Sequence, residues 1–213
     1  MAAKGCRLYI LTPERVDLGT FPDALARALD AGDVAAVQLR LKDVDDAAWT
    51  RAADALLPVC RPRGVAFWLN DRADLVAATG CDGAHVGQED MPARDARGAL
   101  GPGRTLGVTC KQSLDLARRA VADGADYVAF GAFYPSSSKQ VSRLADPDVL
   151  RKWAAESPVP SCAIGGITDA NLAPLVHAGA NLLAVIGGVW SYPDGPAAGV
   201  RAINAAITSA AGG

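Results

Sequence analysis

Eight short runs rich in Val, Ile and Leu recur along the chain about every 25 residues, and most are followed by an Ala-rich stretch with apolar residues at helical spacing. The runs are Arg7–Leu11, Ala35–Leu39, Val65–Leu69, Gly83–Val86, Thr105–Thr109, Tyr127–Phe130, Pro160–Ile164 and Leu182–Ile186. Strands that alternate with amphipathic helices form a parallel sheet, because each helix buries its apolar stripe on the sheet it crosses. Eight such units in 213 residues suit a closed ring better than an open doubly wound sheet, which uses fewer parallel strands. The expected fold class is therefore α/β, a single (β/α)8 TIM barrel over residues 1–213.

The connecting stretches carry helix signals of their own. Phe21-Pro22-Asp23 opens the first helix, Asp45–Leu57 and Ser113–Ala122 have helical periodicity, and Thr168-Asp169 stands where it would cap a helix over Ala170–His177. Gly32, Gly64, Gly80, Gly124 and Gly179 lie where helices should end on a left-handed residue.

Charge and cysteine usage narrow the function classes. Lys and Arg number 21 against 23 Asp and Glu, a net charge of −2 with no basic stripe, so small-molecule substrates are expected rather than nucleic acid. The apolar stretch Leu8–Leu11 is too short for a secretion signal and no run is long enough to cross a bilayer, so no membrane association and a cytoplasmic location are expected. The five cysteines never fall in C-x-x-C spacing, which argues against disulfides and zinc. With only two histidines, a metal would be held mainly by oxygen, which points to Mg²⁺. Whether the chain forms a homo-oligomer is left open.

In a barrel of this kind the chemistry belongs at the carboxyl ends of the strands. After the second strand, Gln38, Arg40 and Lys42 alternate with Leu39 and Leu41, so at strand period one face carries an amide and two cations toward the barrel mouth, suited to an anion such as pyrophosphate. The third and fourth strands end in Asn70-Asp71 and in Gly87-Gln88-Glu89-Asp90. Asp71 and Asp90 can be read as two Mg²⁺ ligands or as N-caps of the helices that follow. Pro135-Ser136-Ser137-Ser138-Lys139 offers hydroxyls and an ammonium to a phosphate, or is a surface loop. Gly165-Gly166 and Gly187-Gly188, at the ends of the seventh and eighth strands, allow the backbone to approach a phosphate. On that reading Gly166→Ala should fold normally and lose only ligand. His85 reads as a packed strand residue and His177 as a solvated one.

Taken in order, the segments QLRLK, ND, DGAHVGQEDMP, GVT, the Pro-Ser-Ser-Ser-Lys loop, IGGI and VIGG resemble the signature series of thiamine phosphate synthases, over nearly the whole chain. The resemblance implies a transferase of thiamine biosynthesis. Such enzymes join a pyrimidine methyl pyrophosphate to a thiazole phosphate by a dissociative step, with Mg²⁺ on the departing pyrophosphate. It further implies that Gln38, Arg40, Lys42, Asn70 and Lys139 bind the pyrimidine pyrophosphate, with Arg40, Lys42 and Lys139 acting catalytically on the leaving group. Asp71 and Asp90 would hold the metal, and Thr109, Ser136, Ser138, Gly166, Ile186 and Gly187 would meet the thiazole phosphate. A closed Ser136–Lys139 loop would shield the pyrimidinyl-methyl cation from water. The chain departs from the family pattern on the thiazole side: serines replace the loop threonines, the fifth strand is followed by Thr109-Cys110-Lys111 without a histidine, and the eighth ends in Ile-Gly-Gly where a serine is usual. Three rival readings are a thiazole tautomerase, which needs a general acid/base near the fifth strand end, a phosphosugar isomerase, and a catalytically silent phosphate-binding barrel.

Overall fold

Each expected run becomes a strand because its apolar residues have two places to go, inward to the barrel axis and outward beneath the helices. The computed structural model describes residues 5–136 and 143–212. In chain order the elements are β1 (Arg7–Leu11), α1 (Phe21–Leu29), β2 (Val34–Leu39), α2 (Asp46–Cys60), β3 (Ala66–Asn70), α3 (Val76–Thr79), β4 (Gly83–Val86), α4 (Ala93–Leu100) and β5 (Thr105–Thr109). They continue with α5 (Leu114–Ala122), β6 (Tyr127–Gly131), α6 (Asp148–Glu156), β7 (Ser161–Ile164), α7 (Ala173–His177), β8 (Leu182–Val185), α8 (Gly187–Trp190) and α9 (Pro196–Ala211). All neighbouring strands are parallel, and β8 pairs back onto β1 with Arg7 opposite Leu182 and Ile10 opposite Val185, closing the TIM barrel. Among the described residues, no helix is long and apolar enough to cross a membrane.

The outward residues, such as Val37, Leu39, Phe67, Leu69, Ala84 and Val86, are buried under the helices. The inward set is different. Ala36, Ala129, Cys162 and Ala184 are small, and they leave room for the three large rings of Tyr9, Trp68 and Tyr127. Trp68 stacks on Tyr127 at 5.1 Å between centroids and meets Tyr9 edge-on at 5.0 Å. Gly107 completes the fit, since a Cβ there would overlap the phenol end of Tyr127.

At the amino-terminal end of the barrel a single device recurs. Asp82, just before β4, accepts the Phe67 N–H of β3 at 2.8 Å. Asp126, just before β6, accepts the Leu106 N–H of β5 at 2.7 Å, and Asn181, just before β8, accepts the Ser161 N–H of β7 at 2.8 Å. Asp33, just before β2, instead accepts from the guanidinium of Arg7 in β1. Alternate strand pairs are thus tied at their base, three of them where a strand N–H would otherwise lose its partner.

Three local expectations are corrected. The α7 helix begins at Ala173, because the Asn171 side chain accepts from Thr168 N–H at 2.8 Å and donates to the Gly166 carbonyl at 2.9 Å, holding residues 166–171 in a turn. The α2 helix runs through Pro58 to Cys60 and ends in a 3-10 turn capped by Gly64, at φ 65°. Gly32 is not a left-handed cap; a Cβ there would press on Asn204 and Val200 of α9.

The base ties lie at the end of the barrel opposite the strand carboxyl termini. Asp126→Ala removes the acceptor for Leu106 N–H and the partner of Arg97, and should lower unfolding free energy by about 1–3 kcal/mol in urea titrations. Its kcat/KM should equal that of the wild type.

Candidate functional site

The mouth of the barrel is organised from β1 and β2. Thr12, just beyond β1, donates its backbone N–H to the Gln38 carbonyl at 2.9 Å, and its hydroxyl oxygen accepts the Arg40 N–H at 2.9 Å. This splices the two strand ends and sets the exit of the Gln38–Lys42 segment. Leu39 and Leu41 turn outward into the helix layer, as the alternation requires, and Gln38 turns into the barrel, 1% exposed. The Arg40 side chain, only 12% exposed, reaches Glu14 at 2.8 Å, and Lys42 approaches the same carboxylate oxygen at 3.9 Å. The Arg40 hydrogen bond and charge hold the Glu14 carboxyl below its usual range. Glu14 was not among the residues expected from sequence; its signal was an acid two residues beyond Thr12, opposite two cations. One acid shared by two cations leaves a net positive charge for an anion.

Beside them, at the ends of the neighbouring strands β3 and β4, Asp71 and Asp90 come together. Asp71 adopts φ 63° and donates its backbone N–H to the His85 carbonyl at 2.7 Å. It does not cap a helix: a 3-10 turn, Ala73–Leu75, follows Arg72 instead, and no side chain caps it. Asp90 does not cap either, because its carboxylate accepts the Gly87 N–H at 2.8 Å and α4 starts only after Pro92. Gly87 makes room for that carboxylate, which lies 2.6 Å from where a Cβ would stand. Burial first, then the neighbouring Asp90, push the Asp71 carboxyl up to about 7, while Arg40 and the Asn70 amide, which donates to Asp71, act the other way.

Two crowded carboxylates, one of them half-buried, are the arrangement a divalent cation relieves. Among the described residues no group of three or more His, Cys, Asp or Glu could hold a metal. A cation at Asp71 and Asp90 would have to complete its shell with water or ligand oxygens, which fits Mg²⁺.

Inside the barrel the histidine and the tyrosines are hydrogen-bonded in series. Gln38 Nε2 donates to Tyr9 Oη at 2.6 Å, Tyr9 Oη lies 3.2 Å from Tyr127 Oη, Tyr127 Oη lies 2.8 Å from His85 Nδ1, and His85 Nε2 lies 2.7 Å from Thr109 Oγ1. Burial pushes His85 down to about 4, with Asp90 pulling weakly the other way, so the ring is neutral at physiological pH. His85 is therefore buried as expected, but as a bonded polar group. His177 is exposed and accompanies the Ala210 carbonyl at 3.0 Å. Tyr9 and Tyr127 were missed from sequence, although each is a polar-tipped ring at an inward strand position.

On the remaining side, Thr109 also receives Gln88 Nε2 on its carbonyl at 2.7 Å, and Ser136 lies half-buried beyond β6. Ser138 and Lys139 lie outside the described residues. Ile186 belongs to the inner barrel layer, and Gly187 opens α8 with nothing within 4 Å of where its Cβ would be. Gly166 is otherwise. It sits at φ 62°, and a Cβ there would run into the carbonyl oxygens of Pro135 and Tyr134. The expectation that Gly166→Ala folds normally is therefore overturned, since this glycine is required where the loop after β7 packs on the loop after β6.

The two glycines separate by experiment. Gly166→Ala should lose more than about 1 kcal/mol of stability, from its left-handed backbone and the backbone collision. Gly187→Ala should melt within about 0.5 kcal/mol of the wild type, yet bind a phosphorylated ligand more weakly.

Known proteins share this architecture and sequence. Residues 8–189 match the family model described as Thiamine monophosphate synthase. The chain is 55% identical over 199 residues to the thiamine-phosphate synthase of Rhodospirillum centenum, covering 93% of this chain and 96% of that protein. It is 47% identical over 210 residues to the thiamine-phosphate synthase of Hyphomonas neptunium, covering 96% and 95%. Among solved structures, the thiamine phosphate pyrophosphorylase from Pyrococcus furiosus superposes with a TM-score of 0.83 at 26% identity over 96% of each chain. With a family model spanning most of the barrel and relatives near half identity end to end, the chain belongs to the thiamine monophosphate synthase family.

Proposed function

We propose that this chain couples hydroxymethylpyrimidine pyrophosphate with thiazole phosphate, giving thiamine phosphate and pyrophosphate, with Mg²⁺ as its metal. The observation that carries the reading is the pairing, at adjacent strand ends of one barrel mouth, of two crowded carboxylates with two cations that share a single acid. That set matches a polyanionic leaving group with its metal, and the reaction needs no protein nucleophile.

Asp71 and Asp90 would hold the metal, with Asn70 steadying the Asp71 carboxylate. Bound there, the metal would offset the negative charge growing on the departing pyrophosphate. Arg40 and Lys42 would exchange Glu14 for the pyrophosphate oxygens and meet the same charge from the other side, with Lys139 contributing a third cation. Gln38 would orient the pyrimidine. Thr109, Ser136, Ser138, Gly166, Ile186 and Gly187 would bound the thiazole phosphate, Gly166 through the loop it shapes. Once the C–O bond to pyrophosphate has broken, the thiazole captures the pyrimidinyl-methyl carbon, so the interior must exclude water at that moment.

A tautomerase reading asks for a proton shuttle near the end of β5. His85 does reach Thr109, but it is neutral and both ring nitrogens are engaged by hydroxyls. The coupling reaction is favoured.

The direct test is purified protein with both substrates and Mg²⁺, followed for thiamine phosphate and pyrophosphate. Excess chelator should abolish turnover. Asp71→Asn should lower kcat by about 100-fold or more, and it should raise the melting temperature of the metal-free protein, because it removes one of two like charges. Mg²⁺ should stabilise the wild type and not the variant. Arg40→Ala should reduce kcat more than it raises KM, since its interaction strengthens as charge develops; a pure KM effect would limit Arg40 to docking.

A further inference from the structure

We propose that the buried series Gln38–Tyr9–Tyr127–His85–Thr109 is a directional hydrogen-bond relay, in which Tyr9, Tyr127 and His85 are positioning residues that tie the face presented by Gln38 to the face presented by Thr109. What those two ends touch rests on the function proposed above. The relay itself is a property of the free protein.

The argument is one of counting protons. Gln38 Nε2 donates to Tyr9, so the single O–H of Tyr9 is left to donate to Tyr127. Tyr127 must then donate to His85 Nδ1, which makes that nitrogen an acceptor and puts the imidazole proton on Nε2. Nε2 donates to Thr109 Oγ1, and the threonine hydroxyl keeps its own proton for a ligand. Both phenols are fully buried, and burial holds their ionisation well above the ordinary value. With each hydroxyl and the neutral imidazole carrying one proton to give along the chain, the series has two unbroken orders, this one and its reverse.

The reverse order needs Tyr9 to donate to Gln38 Oε1, with the carboxamide turned over. Gln38 would then present N–H to a ligand, and Thr109 would present a lone pair. The ends are therefore linked: an accepting Gln38 goes with a donating Thr109. In the structure Gln38 Oε1 is buried and, among the described residues, has no hydrogen-bond partner. A first ligand that donates an N–H to that oxygen would hold the order in which Thr109 donates, ready for an anionic oxygen on the second.

The surroundings keep the relay in line. Trp68 stacks on one phenol and abuts the other, and Gly107 is open where the Tyr127 hydroxyl end passes. The residues come from β1, β2, β4, β5 and β6, so the series crosses the barrel interior from one side of the mouth to the other.

The test reads the tautomer of His85 by two-dimensional proton–nitrogen NMR on protein with labelled histidine. The sequence has two histidines, and His177→Gln assigns the signals. The ligand-free wild type should show the neutral Nε2–H tautomer, and an Nδ1–H form overturns the proposed order without any variant. Gln38→Glu, at alkaline pH, places a group that only accepts at the head of the series. Tyr9 must turn its proton to it, and His85 should switch to Nδ1–H although the changed residue does not touch it. An unchanged tautomer overturns the relay. Combined with Tyr127→Phe, Gln38→Glu should no longer move the His85 signal; a switch that persists also overturns it. As a binding arm, hydroxymethylpyrimidine should raise wild-type affinity for thiazole phosphate about fivefold or more, and Tyr127→Phe should lose the effect. Equal affinity with and without the pyrimidine removes the coupling between subsites. Failure to form thiamine phosphate would sink the function proposed above and leave the spectra of the free protein to decide the relay.

Discussion

Closing eight parallel strands into a ring confines every inward side chain to one narrow interior, and the rest of the molecule follows from how that volume is shared. Three large rings fit only because their neighbours are Ala36, Ala129, Cys162, Ala184 and Gly107. The rings are buried, so polar atoms placed among them do best when they find one another. Tyr9, Tyr127 and His85 do so, and the polarity that emerges at the mouth, through Gln38 and Thr109, is set from below.

The mouth itself is held in an incomplete electrostatic state. Arg40 and Lys42 share Glu14, while burial and the neighbouring Asp90 push the Asp71 carboxyl up to about 7. Neither group is at rest with its own kind. Such arrangements cost stability in the free protein, as strained sites commonly do. The same backbone supports both halves: Thr12 splices β1 to β2 under the cations, and the Asp71 N–H joins β3 to β4 under the acids.

Much of this was legible in the sequence, for reasons that differ by element. The bounds of β1, β4 and β5 coincide with the apolar runs, because in a closed barrel both faces of a strand are buried and its polar boundaries are sharp. The acids and cations of the mouth were legible because strand ends announce themselves where an apolar run stops. The start of α7 was not, because Thr168-Asp169 has capping chemistry and only the fold shows Asn171 accepting the Thr168 N–H and donating to the Gly166 carbonyl, which closes a turn there instead. Gly166 and Gly187 look alike in sequence, yet one is forced by φ and a neighbouring loop and the other stands over open space. The interior series was illegible for a plainer reason: Tyr9 and Tyr127 are 118 positions apart and meet only once the ring has closed.

The ties at the amino-terminal end divide the ring in a way its outward symmetry conceals. Asp33, Asp82, Asp126 and Asn181 join β1 to β2, β3 to β4, β5 to β6 and β7 to β8, and none of these four ties bridges one such pair to the next. At the level of side chains the ring thus has four feet, each pinned separately, while the backbone carbonyls of Asp82 and Asn181 accept from Thr105 and Arg7 and carry the ladder across the seams. A break or a new terminus introduced between pinned pairs spares every pin, whereas one placed within a pair severs the foot from the strand it holds.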